Sequence, residues 1–436
     1  MMGRMSNVNG IEPRATFVVG AVALAALGGC SGSDAGGGPG TTAPEGALTY
    51  YRDAKPIFDA KCATCHVEGG IAPFATTSYA TLKDWAKVIK DNVVAKTMPP
   101  WLADDSCAEY VADRALSQDQ IDLLAKWVDD GAYEGDPKDE GKPLVLPPSY
   151  ALSRVDRTLE MAAAYTATVT PDEYRCFVLD WPETTTKFVT GFGANPGNPA
   201  VVHHVIAYIV GPDQVAQVKK LDDADDGPGY LCYGGPGLNS VGFLGGWAPG
   251  GRGNDFPAGT GQRIDAGSKI ILQVHYNSLA AGVQPDQTSV DVKIEDKVEK
   301  EAWVQPWTNP GWISGSGMLI PAGQMDVTHT FSFDPTQYIS DGQPFVIYSA
   351  NHHMHTLGTT GKLWIDRQDG TQECLLDIPR WNFHWQNSYG FAKNKTFQPG
   401  DRLGIECHWD NTTAKDVTWG EGTTDEMCIG FFYLTK

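Results

Sequence analysis

Two periodicities divide the chain. Residues 116–132, "LSQDQIDLLAKWVDDGA", place Ile121, Leu124 and Trp127–Val128 at helical spacing, which predicts an amphipathic helix. From about residue 150 that period mostly vanishes. Short β-branched and aromatic runs take over, separated by Gly, Pro, Asn and Asp. They include "VVHHVIAY" (201–208), "KIILQVHYN" (269–277), "PFVIYSANHH" (344–353), "KLWID" (362–366), "RLGIECHW" (402–409) and "CIGFFYL" (428–434). Regular short strands with turn signals predict two all-β domains of jelly-roll or sandwich type. The segment "EGDPKDEGKPLVLPPS" (134–149) reads as a linker, and the charged stretch 292–303 as the divide between the β-domains. The expected fold is multidomain. A leader (1–30) and a flexible linker (31–46) precede a small all-α domain (47–135). A linker (136–150) and two β-domains (151–295 and 296–436) follow.

Length, charge and the first thirty residues narrow the setting. The chain has 436 residues, too many for one small core, and a formal net charge of −20. Such a surface repels phosphate backbones, so nucleic acid is excluded as a partner. Arg4 and Arg14 precede or flank a thirteen-residue apolar run, Ala15 to Leu27, which is short for a membrane span and fits a signal segment. It ends in Leu27-Gly-Gly-Cys30, which resembles the lipobox of bacterial lipoproteins. That resemblance implies a lipidated Cys30 and a lipid anchor in the bacterial envelope, periplasmic or outer-membrane associated. A plain secretory signal with an incidental Cys is the alternative. Either way an exported chain permits disulfides.

Of nine cysteines, Cys62 and Cys65 fall in "KCATCH" (61–66), a Cys-x-x-Cys-His motif. Two thiols can add to haem vinyl groups, and the following His66 can ligate the iron. A zinc site would need further ligands nearby, and none follow. Met98, in the Pro-fixed turn "KTMPPW", offers a thioether as the other axial ligand. Residues 47–135 resemble a compact c-type cytochrome domain, which implies one covalently attached haem c. The interval from His66 to Met98 is short for that family, which leaves the sixth ligand open.

The remaining histidines carry the chemistry of the β-domains. His203 and His204 are adjacent on a predicted strand, where neighbours point to opposite faces. They can serve one metal only if the strand ends or twists strongly there, or if the rings bend back through Nδ1. With His275, on another strand, they would make an all-nitrogen site. His353 and His355 are two apart and share a face, and Met427 in "DEMC" supplies a soft thioether. An N₂S set suits copper better than zinc. His352 points the other way and reads as structural or supporting.

The order His-His, "QVHY", His-x-His-x-Leu-Gly, "EMC" resembles the type II copper monooxygenases, which include the peptidylglycine- and dopamine-hydroxylating enzymes. The resemblance covers about residues 160–436. It implies two jelly-roll-like domains, each holding one of two copper ions across a solvent cleft. His203, His204 and His275 match the electron-transfer site. His353, His355 and Met427 match the oxygen-binding, catalytic site. It also implies disulfides Cys407–Cys428 and Cys176–Cys232. Cys107 and Cys374 either bridge domains or stay thiols, and spacing does not choose. In the peptide-amidating branch an Arg and a Tyr clamp the substrate carboxylate; Asn351 and Phe431 stand here instead. With "RWNFHW" (380–385) nearby, this points to an apolar or aromatic small-molecule substrate, with O₂ as co-substrate.

The function so implied is a copper monooxygenase hydroxylating an activated C–H bond. An external donor would feed the haem, and electrons would pass from it to the His203/His204/His275 copper. Two other readings remain: an envelope electron-transfer or copper-binding protein without an oxygenase step, and an adhesion sandwich carrying a cytochrome.

Overall fold

The computed structural model describes residues 43–63, 65, 66, 72, 74–141, 152–238, 241–247, 253–279, 281–313, 315–383 and 385–436. The leader, Cys30, the start of the tether and residues 142–151 of the linker lie outside the described residues.

The described chain is mostly β-sheet, in several sheets. Ahead of the sheets, helices α1 (Lys55–Lys61), α2 (Tyr79–Val94) and α3 (Gln118–Asp129) share a core of their own, with Tyr50, Phe58, Leu82, Leu124 and Trp127 buried in it. Helix α3 starts where Ser117 and Gln120 satisfy each other's backbone N–H groups in a capping box. It stops before Gly131, whose φ of +117° a side chain would resist. Helix α2 buries Leu82, Ala86, Ile89 and Val93 at helical spacing. Sequence reasoning missed this helix.

The first sandwich packs two sheets. One runs Arg157–Glu160, Ser289–Glu295, Lys187–Asn195, Thr260–Ile264. The other centres on Asp172–Asp180, Lys269–Asn277, Val202–Val210 and Gly242–Trp247. Val189, Phe192 and Val290 from one meet Leu179, Ala207 and Leu272 from the other in a single core.

The second sandwich repeats the plan. Lys300–Trp307, Ile429–Thr435, Phe345–His353 and Ser388–Phe397 face Val327–Phe333, Arg402–Trp409, Gly358–Asp366 and Gln372–Ile378. Phe345, Phe397 and Phe432 fill the core against Leu363, Ile405 and Trp409. The charged stretch 292–303, expected to divide the β-domains, spans a junction between two strands. It is the end of one strand and the start of another, and residues 300–302 pair in parallel with Thr260–Gln262. One nine-stranded sheet therefore runs through both sandwiches. That sheet carries His353, at the end of Phe345–His353, whereas His203, His204 and His275 lie on the five-stranded sheet of the first sandwich.

Candidate metal centres

The adjacent histidines solve their geometric problem with a β-bulge. His275 lies opposite His204, but the next residue, Tyr276, lies opposite Val202. His203 is the extra residue of the bulge. A bulge breaks alternation and bends the strand, so both imidazoles turn toward His275. The Nδ1 atoms of His203 and His275 each lie 3.3 Å from His204 Nδ1. One nitrogen from each ring falls within 4.8 Å of the others. His275 Nε2 bonds Asp172 Oδ1 at 2.9 Å, which assigns the proton there and leaves Nδ1 a lone pair. Asp172 also accepts from Asn277 Nδ2 and Thr423 Oγ1. The His275 bond, with those of Asn277 and Thr423, holds its carboxyl below the usual range against the effect of burial. Tyr174 stacks on His275 at 4.1 Å. Burial, then the neighbouring His275 and His203, depresses His204 well below the ordinary histidine range. Three imidazoles whose ring nitrogens meet at one point are a metal-binding arrangement.

The second set forms where the strand Phe345–His353 ends and turns. The His353 and His355 rings lie 5.1 Å apart. Burial depresses both, to about 3 and about 4, so both are neutral near pH 7. His353 Nδ1 pairs with Gln386 Oε1, and His355 Nδ1 donates to the Asp425 carbonyl at 2.9 Å. Each ring thus has its Nε2 left for a ligand. Glu426, fully buried, ties the turn to the segment before Met427. It accepts from His355 N (2.8 Å), Leu357 N (2.6 Å) and Trp409 Nε1 (2.9 Å). Burial pushes this carboxyl up to about 7 against the pull of those donors. Met427 is buried, and the next residue, Cys428, is bonded to Cys407. His352 faces away into the core, with Nε2 at 3.2 Å from the Glu406 carbonyl.

The space between the two sets is bridged. Phe383 stacks on His203 at 4.9 Å and meets His355 edge-on at 6.0 Å. Residues 421–425 of the second sandwich reach the first: Tyr174 Oη donates to the Glu421 carbonyl and Tyr233 Oη to Asp425 Oδ2. Thr423 joins them through Asp172. Phe243 and Phe431, one from each sandwich, lie 5.1 Å apart. The open cleft expected from sequence is, in this structure, crossed by side chains.

In the helical region Cys62 closes α1, and the N–H groups of Cys65 and His66 both return to its carbonyl. The other six described cysteines form Cys107–Cys374, Cys176–Cys232 and Cys407–Cys428, while Cys62 and Cys65 are in no disulfide. His66 Nδ1 lies 3.0 Å from the Phe74 carbonyl. A cavity of about 350 Å³ opens beside Met98, lined by Val93, Trp101, Leu116 and Ile121, and by Arg380 of the second sandwich.

Sequence reasoning missed Asp172, Gln386, Thr423 and Glu426. Only Glu426 carried a local signal, as the neighbour of Met427; the others come to the centres through pairing between distant segments.

Comparison with known proteins meets this geometry. Residues 311–435 match the family described as copper type II ascorbate-dependent monooxygenase, C-terminal domain, and so include His353, His355 and Met427. The chain is similar to DBH-like monooxygenase protein 1 of Gallus gallus, 24% identical over 254 residues, which are 53% of this chain and 38% of that protein. It is also similar to tyramine beta-hydroxylase of Caenorhabditis briggsae, 34% identical over 92 residues, or 20% and 15% of the two chains. These matches span less than half the length of each such relative. Among solved structures, PNGase F, a glycosylasparaginase from Flavobacterium meningosepticum, matches at 11% identity and a TM-score of 0.29, covering 64% of this chain and 95% of that one. At that score the likeness decides nothing. The family match thus falls on the second sandwich, residues 311–435.

Proposed function

We propose that this protein is a copper-dependent monooxygenase that hydroxylates an activated C–H bond of an apolar or aromatic small molecule with O₂. The observation that carries the reading is the meeting of two histidine sets, one from each sandwich, around the shared Phe383. His203, His204 and His275 would hold one copper ion, and His353, His355 and Met427 the other. Copper, when bound, supplies one-electron redox chemistry and the activation of O₂. The chain's own groups do the rest. Asp172 keeps the proton on His275 Nε2, so that Nδ1 faces the metal position. Gln386 and the Asp425 carbonyl hold the Nδ1 protons of His353 and His355, which leaves Nε2 toward the metal position. Met427 adds a soft sulfur, which favours the reduced ion.

The substrate class follows from what borders the centres. Phe383 presents an aromatic ring to both histidine sets, and Asn351 is an amide bonded to the Asn387 carbonyl rather than a cation. A carboxylate-bearing peptide finds no clamp at these positions.

The helical region would carry a covalently attached haem as the electron donor to copper, itself fed by an external reductant. The donor set fits it: two thiols left out of disulfides while the other six described cysteines pair, and an imidazole with Nδ1 at a carbonyl and Nε2 to spare. Met98, at the cavity of about 350 Å³, would be the second axial ligand. Lipidation at Cys30 would anchor the protein in the bacterial envelope. The test is metal and haem content followed by ¹⁸O₂ turnover over a panel of aromatic and amine substrates. About two coppers, one haem and one added ¹⁸O support the reading; zinc, or no metal, in the sandwiches overturns it.

A further inference from the structure

The helical region is fastened to the second sandwich, at residues 374–393. The disulfide Cys107–Cys374 crosses the junction. Val111 N donates to the Gly390 carbonyl and Ala392 N to the Glu109 carbonyl, both in a short antiparallel bridge. Arg380 donates to the carbonyls of Ala95 and Lys96, just ahead of Met98. Trp101 packs edge-on against Tyr389 at 4.9 Å, and Leu102 N donates to Tyr389 Oη.

Within this junction one path is short. Two residues after Met98, the Pro100 carbonyl accepts from Asn387 Nδ2 at 3.1 Å. One peptide bond back, Gln386 Oε1 accepts from His353 Nδ1. The Asn387 carbonyl meanwhile accepts from Asn351, two residues before His353 on its strand, at 2.8 Å. Only two hydrogen bonds and one dipeptide separate the Met98 turn from the His353 ring. These half-buried hydrogen bonds hold the groups in fixed register. The other histidine set is reached from here by a further hydrogen bond, from Gln386 Nε2 to the Phe383 carbonyl, and then across the Phe383 ring to His203 at 4.9 Å.

We propose that Gln386–Asn387 is the electronic bridge of this protein, so that an electron from the haem reaches the His353/His355/Met427 centre before the His203/His204/His275 centre. This reverses the order expected from sequence, and it rests on the reading of the cofactors given above. In the step, a ferrous haem loses one electron to become ferric and a cupric ion gains it to become cuprous. No bond to substrate forms and no proton need move. Gln386 and Asn387 act as positioning residues.

The test uses the full-length protein carrying haem and copper, without O₂ or substrate. The haem is reduced with substoichiometric dithionite against cupric centres. Its absorbance decay and the copper EPR spectrum are then followed. We expect His204→Ala, or His203→Ala if the first variant does not fold, to keep the fast decay. His355→Ala should abolish it. Asn387→Ala should slow it severalfold with haem spectrum and copper content unchanged. Fast decay that survives His355→Ala but not His204→Ala overturns the proposal, as does a rate indifferent to Asn387→Ala. A protein that holds no haem or no copper is recognised before mixing, and overturns the reading beneath the proposal as well.

Discussion

The Nδ1 atoms of His203 and His204 lie 3.3 Å apart, although the two residues are consecutive on one strand. Two ring nitrogens at that distance can share one proton or one metal ion, and His275 supplies the third side. The bulge at His203 makes that meeting possible. His203→Ala and His204→Ala should each lower copper content from about two ions per chain to about one, with the His353 centre still filled. Metal analysis with EPR checks this; a full complement of copper in both variants refutes the shared site.

Asp172 acts on the same centre from behind. Removing the group that orients a metal-ligating histidine typically costs roughly 10–100-fold in metal affinity. Asp172→Ala should weaken copper at the His275 centre by about that much. Thr423→Val, which deletes one bond to Asp172, should act in the same direction and less. Competition titration with a copper chelator separates the two centres by their affinities.

The two histidine sets were legible in the sequence because histidine is rare and its spacing on strands is informative. His353 and His355 follow from alternation alone. The pair His203–His204 was legible only as a contradiction, since alternation places them on opposite faces, and a bulge is set by pairing with a distant strand. Asp172 sits 103 residues from His275, and Gln386 33 residues from His353, so nothing local marks either. The continuous sheet was hidden for a similar reason: residues 300–302 fall in a charged stretch, and their parallel pairing with Thr260–Gln262 depends on both sandwiches being formed. The Cys107–Cys374 bridge, left open by spacing, is decided by the same long-range packing.

His352 supplies a pH dependence. An unfolded histidine titrates near 6.5, whereas burial depresses His352 to about 4. Between those values the unfolded chain binds a proton that the folded protein refuses. Stability is therefore fully present above about pH 6.5 and is lost as pH falls toward about 4. A tenfold change in proton affinity is worth about 1.4 kcal/mol, so the group accounts for a loss on the order of 3 kcal/mol. His353 and His355 act in the same sense in the copper-free protein. The melting temperature should fall between pH 7 and pH 4, and His352→Gln should flatten that slope. An unchanged slope contradicts the assignment.

The Cys407–Cys428 disulfide closes a segment 21 residues apart in sequence and ends beside Met427. Closing a loop of that size stabilises by roughly 3 kcal/mol, chiefly by restricting the unfolded chain. Cys407→Ser/Cys428→Ser should lower stability by about that amount. It should also loosen copper at the His353/His355/Met427 centre while leaving the all-histidine centre unchanged. Denaturant unfolding measures the first effect, and site-resolved copper titration the second.

Met427→Ile separates an oxygenase from a protein that only carries electrons. Isoleucine keeps the apolar bulk at a buried position but removes the sulfur. If the N₂S centre performs the oxygen chemistry, incorporation of ¹⁸O into product should fall to background, and copper at His203/His204/His275 should persist. Reduction and reoxidation of haem and of that copper by added reagents should continue at wild-type rates. A redox carrier whose function lies in the haem and the all-histidine centre would be indifferent to the change in every assay. Loss of ¹⁸O product with redox cycling intact thus assigns the oxygenase step to Met427's centre. Retention of product would remove Met427 from the reaction and leave the two histidines as an incomplete ligand set.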